Sequence, residues 1–143
     1  MNLWSLWGPL AAFFAVVAMH APATAAVNAT ASLPQFLELP LEPPLDWLYK
    51  EKLGYRIIMV LDAATDEYDI YGWEDFVETQ CLGMELCDSV LLYTVPTGEG
   101  EHRRWMGVLF RAPHPSPSDF YREDGIRLSR VFVKIHNDTA SVD

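Results

Sequence analysis

Ser89-Val90-Leu91-Leu92-Tyr93-Thr94-Val95 is followed by the turn-forming run Pro96-Thr97-Gly98-Glu99-Gly100-Glu101, and Arg103-Arg104-Trp105-Met106-Gly107-Val108-Leu109-Phe110-Arg111 comes next. Both flanking runs are rich in β-branched, aromatic and long apolar residues, which fit a pleated and half-buried surface. Joined by this Gly-containing loop, the two runs read as the clearest antiparallel hairpin in the chain. This hairpin sets the class of fold, and the remaining segments are read by how they can pack around it.

Upstream, Tyr55 to Leu61 is a short apolar run that suits a buried strand. Asp62 to Asp66 reads as a turn into Glu67-Tyr68-Asp69-Ile70-Tyr71, whose alternation suggests a half-exposed strand. Asp46 to Leu53 reads as a short helix, with Asp46 as its cap, Lys50 and Lys52 toward its end and Gly54 as its stop. Gly72 to Gln80 suits a second short helix presenting Trp73, Phe76 and Val77. Downstream, Pro113-His114-Pro115-Ser116-Pro117 interrupts regular structure, and Ser118 to Glu123 fits one helical turn. A last strand is expected over Ile126 to Ile135. Its alternation slips, with Ile126 and Leu128 on one parity and Val131, Val133 and Ile135 on the other, so a bulge is expected near Ser129-Arg130. The sum is an α+β domain: a mostly antiparallel sheet of about four or five strands, with short helices and one disulfide.

Three regions follow from composition. Residues 1–26 carry no Lys, Arg, Asp or Glu, and their apolar stretch ends in Ala21-Pro22-Ala23-Thr24-Ala25-Ala26. That pattern reads as a secretory signal peptide, or as an anchor if it is left uncut. Residues 27–45 hold Pro34, Pro40, Pro43 and Pro44 and read as an extended Pro-rich arm. Residues 46–143 form a single globular domain. The expected location is exported, secreted or periplasmic, and membrane-anchored only through an uncleaved leader.

Every Lys, Arg, Asp and Glu lies outside the leader, so the formal net charge of −10 belongs to the remainder. This argues against nucleic acid and anionic membrane surfaces as partners, because both select a basic footprint. It permits a protein partner, a basic one above all, approached by electrostatic steering. The two cysteines, Cys81 and Cys87, form a disulfide in an oxidising compartment. A loop that small shapes local structure more than it holds up the fold.

The motifs of nucleotide binding, serine hydrolysis and zinc proteolysis are missing from the chain. His102, His114 and His136 fall at a turn, in a proline loop and near the C-terminus, with no spacing that makes them a catalytic or metal-binding set. No cofactor is expected. Asp62, Asp66, Glu67 and Asp69 crowd one turn, but calcium loops need alternate ligands with a central Gly and a closing Glu. They read as a solvated acidic patch that contributes to partner binding. Glu74, Asp75 and Glu78 share the second helix, and paired carboxylates are the basis of a third function class, a hydrolase. Asn28-Ala29-Thr30 and Asn137-Asp138-Thr139 are sequons that place possible glycans on Asn28 and Asn137.

The segment between the cysteines carries Leu82, Met84 and Leu86, and a clamped apolar loop is pre-ordered for docking. Met84, Glu85 and Leu86 are therefore the expected contacts with a partner. Cys81 to Cys87, Val90-Leu91-Leu92-Tyr93 and Trp105-Met106-Gly107-Val108-Leu109-Phe110 together resemble the arrangement in periplasmic inhibitors of vertebrate lysozyme. Those inhibitors place a disulfide-closed loop before a hairpin and insert the loop into the enzyme's cleft. Their loop is shorter and bears a His-Asp pair, which this loop lacks, so the resemblance implies a mode of action and no shared residues. The leading expectation is a small exported acidic binding or inhibitory protein without catalysis. The alternatives are an accessory subunit of an envelope or cell-surface complex, docked through the arm and through exposed Trp47, Tyr68 and Trp73, and the carboxylate-based hydrolase.

Overall fold

The computed structural model describes residues 35–98 and 100–136. Residues 1–26, on which the signal-peptide expectation rests, and the sequon residues Asn28 and Asn137 lie outside the described residues. Chain order is β1 (Phe36–Leu39), β2 (Trp47–Tyr49), α1 (Glu51–Gly54), β3 (Ile57–Ala64), α2 (Ile70–Leu82), β4 (Cys87–Pro96), β5 (Arg103–Arg111), a 3-10 turn (Pro117–Asp119), β6 (Phe120–Arg122) and β7 (Arg127–Lys134). A five-stranded antiparallel sheet runs β1-β7-β4-β5-β3, and β2 with β6 makes a separate two-stranded sheet. The fold is α+β, as the hairpin and its flanks imply.

The hairpin strand β4 is the centre of the sheet and is buried along eight of its ten residues. Alternation divides its side chains between two cores. Val90 and Leu92 join Trp105, Leu109 and Phe132 beneath Trp73, Val77 and Cys81 of α2. Leu91 and Tyr93 join Val108, Phe110 and Val131 on the other face, covered by Leu53 of α1 and Phe120 of β6. The sheet is thus sandwiched, with α2 on one side and α1 with the small sheet on the other. Gly107 of β5 fixes the first of these contacts. A Cβ there would meet Val77 at 2.7 Å, so only a glycine lets α2 lie this close.

Three expected elements take a different form. Ser118 to Glu123 is not one helical turn, because Phe120–Arg122 is drawn out as β6 by its pairing with β2 and only Pro117–Asp119 coils as a 3-10 turn. Asp46 to Leu53 does not make one helix, because Trp47–Tyr49 pairs with Phe120–Arg122 and only Glu51–Gly54 is helical. Tertiary partners override local preference here. The Trp47 N–H donates to the Ser129 hydroxyl at 3.0 Å, and that hydroxyl donates to the Trp47 carbonyl at 2.8 Å. Glu67 to Tyr71 is not a strand. Asp69 caps α2 by accepting the Gly72 N–H at 2.7 Å, so Ile70 and Tyr71 already belong to the helix.

The parity slip in the last strand has its expected cause. Between the pairs Leu92↔Arg130 and Thr94↔Arg127, β7 carries one residue more than β4. Leu128 within this bulge takes a positive φ of 58° and turns Ser129 inward to its partners on β2. A non-glycine residue holds that conformation only where neighbours enforce it. Residues 36–39 of the Pro-rich segment form β1, an edge strand on β7, and the Glu38 carboxylate receives two hydrogen bonds of 2.9 Å from Arg130.

Candidate functional site

Antiparallel pairing places the start of β4 beside the ends of both β5 and β7. The disulfide-closed turn enters β4 at this end of the sheet. Cys81, in the last turn of α2, is bonded to Cys87, and both are fully buried. A second bulge makes this possible. Cys87 pairs with Arg111 and Ser89 with Phe110, which leaves Asp88 as an extra residue. Without it Cys87 would share the parity of Leu91 and Tyr93 and face away from the helix; with it Cys87 meets Cys81 under α2.

The turn between the cysteines is ordered by backbone hydrogen bonds, from Met84 N–H to the Cys81 carbonyl at 3.1 Å and from Cys87 N–H to the Met84 carbonyl at 3.0 Å. Its side chains divide. Met84 is half-buried against the core beneath α2, whereas Leu86 is 71 % exposed and Leu82 38 %. Glu85 is also exposed. Of the three expected contacts, Glu85 and Leu86 face outward and Met84 leans in, while Leu82 joins the exposed set.

The acidic patch lies elsewhere. Asp66 and Glu67 follow β3, whose end pairs with the start of β5, at the far end of the sheet from the disulfide. Asp69 caps the N-terminus of α2, and Cys81 sits at its C-terminus, so about 18–20 Å of helix separates them. Asp62 is neutralised by contact with Arg104. Asp66 borders a hollow of about 520 Å³ together with Arg103 and Arg104. Patch and loop therefore do not form one surface, and the patch is interleaved with arginines.

The outward side of α2 supplies acidity next to the turn. Tyr71, Asp75, Glu78 and Leu82 recur at helical spacing along it, with Tyr71 73 % exposed. Burial pushes the Glu78 carboxyl up to about 7, reinforced by the negative charges of Glu74 and Asp75. Burial also raises Glu74 despite its contact with Arg130. The Arg130 guanidinium holds Glu38 below the ordinary carboxylate range.

The accessory-subunit expectation relied on three exposed aromatics, and this is corrected. Trp73 is core, its indole N–H donating to the Met106 carbonyl at 3.2 Å. Tyr68 packs edge-on against it at 5.4 Å between centroids. Trp47 is covered by the Arg122 guanidinium 4.2 Å above its ring.

One cluster escaped the sequence. Asp88, His114 and His136 converge beside the disulfide, on the bulge of β4, the segment after β5 and the segment after β7. Asp88 Oδ1 lies 3.3 Å from Nε2 of His114 and 3.2 Å from Nε2 of His136. The two rings lie nearly parallel, 6.0 Å apart. His114 also borders a hollow of about 360 Å³ with Lys52, Arg56 and Asp119. No local spacing could announce this set, because only the strand order brings its members together. Among the described residues no helix is long and apolar enough to cross a membrane. In comparisons with protein families, characterised proteins and solved structures, nothing matches the chain.

Proposed function

We propose that the chain is a small exported, non-catalytic protein that binds a basic protein partner through its disulfide-closed turn and the adjoining acidic side of α2. The observation that carries this reading is the exposure of Leu82 and Leu86 on a turn clamped by a buried disulfide. Apolar side chains held in place before docking lose little entropy on binding. Asp75 and Glu85 flank them with charge that a cationic surface would neutralise. The arrangement supports inhibition of an enzyme by an inserted turn, with Leu86 as the leading side chain.

The test is affinity capture from the compartment to which the chain is exported, with the wild type and Leu86→Asp side by side. A basic protein retained by the wild type and lost by Leu86→Asp is the expected result. The same set of captured proteins on both would overturn the reading, since Leu86 would then carry no recognition.

A further inference from the structure

We propose that Asp88, His114 and His136 form a binding site for a divalent transition-metal ion of the zinc class. Three features carry this inference. The donor set is two imidazoles and one carboxylate, which zinc-class ions accept and calcium or magnesium does not select. The spacing suits it, because metal bonds of about 2.0–2.1 Å set tetrahedral ligand atoms about 3.3–3.4 Å apart. Asp88 Oδ1 stands 3.3 and 3.2 Å from the two Nε2 atoms. All three ligand atoms lie within 4.8 Å of one another.

The third feature is the state of the carboxylate. Asp88 is only 4 % exposed, and among the described residues its buried Oδ2 has no hydrogen-bond partner. Leaving a buried charged oxygen unpaired is costly, and a cation beside it would remove that cost. The β-bulge at Asp88 supplies the position: it inserts one residue at the strand end where β5 and β7 both terminate. Three protein ligands leave at least one coordination position open, as in zinc sites that hold a water or an external ligand. Binding there would pin the segments leaving β5 and β7 to the start of β4, next to the recognition turn.

The test uses the untagged chain, stripped with a chelator and titrated calorimetrically with Zn²⁺ alone. Saturable uptake of one Zn²⁺ per chain is expected, with a rise in the thermal midpoint that scales with free Zn²⁺. His114→Ala and His136→Ala should each weaken binding by more than about 10-fold, since loss of even an outer-sphere partner costs that much. Both side chains are about half exposed, at 47 % and 51 %, so the variants should fold as the wild type does. His102→Ala, at the other end of β5, should bind unchanged. Absence of saturable binding, or binding that His114→Ala and His136→Ala leave intact, would overturn the proposal and leave Asp88 as a hydrogen-bond acceptor for two imidazoles.

Discussion

Single positions carry sharply different burdens in this fold. Gly107 has no room for a methyl group, because Val77 and Trp73 of α2 occupy it. Gly107→Ala should force the helix off the sheet and cost about 1–3 kcal/mol, read as a lower midpoint in urea unfolding. The two ends of the clamped turn should separate by the same measurement. Met84→Ala removes a side chain packed on the core, so part of the roughly 2–5 kcal/mol of a full core truncation should be lost. Leu86→Ala, at a 71 % exposed position, should stay within about 0.5 kcal/mol of the wild type and act on partner binding alone. Equal destabilisation by both would show that the turn is core throughout.

At the level of elements, what the sequence disclosed depended on whether local pattern or distant partners decided the conformation. The hairpin was legible because β4 and β5 each carry a long apolar run with a glycine turn between them. The bulge in β7 was legible because a parity slip is written in the residue order itself. Trp47–Tyr49 was not, since its strand form depends on Phe120–Arg122 and on Ser129, far along the chain. The Asp88–His114–His136 cluster was hidden for the same reason: its members are neighbours only once β4 is known to lie between β5 and β7. Helix α2 yields a prediction of its own. Its folded Glu78 titrates near 7 instead of the ordinary 4.5. The folded state therefore holds a proton that the unfolded state has already lost between those values, and stability falls as pH rises through that window. Glu78→Gln should be more stable than the wild type at about pH 8, with the gain fading toward about pH 5. Thermal melts across that range would show it, and a pH-independent difference would contradict it.

Over the whole molecule, charge and layering set how the domain meets others. The net charge of −10 lies outside residues 1–26, and exposed charges act over about 8 Å at physiological ionic strength. Association with a basic partner should therefore slow as salt rises, while dissociation from the clamped turn should change little. Stopped-flow rates across a salt series would test this, and a flat association rate would remove steering from the account.

The pairing of β1 with β7 brings the two flanks of the domain together. The Ile135 N–H donates to the Gln35 carbonyl at 2.8 Å, so the chain enters and leaves the sheet at adjacent points. In connectivity the described residues nearly close a ring through the pairing of β1 with β7. A short linker from residue 136 to residue 35, with new ends cut between Thr97 and His102 at the opposite end of the sheet, should give a circularly permuted chain that keeps the same sheet and the same disulfide. Recovery of the Cys81–Cys87 bond and of a cooperative melt in that permutant is the expected outcome. The order in which these strands are synthesised would then be incidental to the architecture they reach.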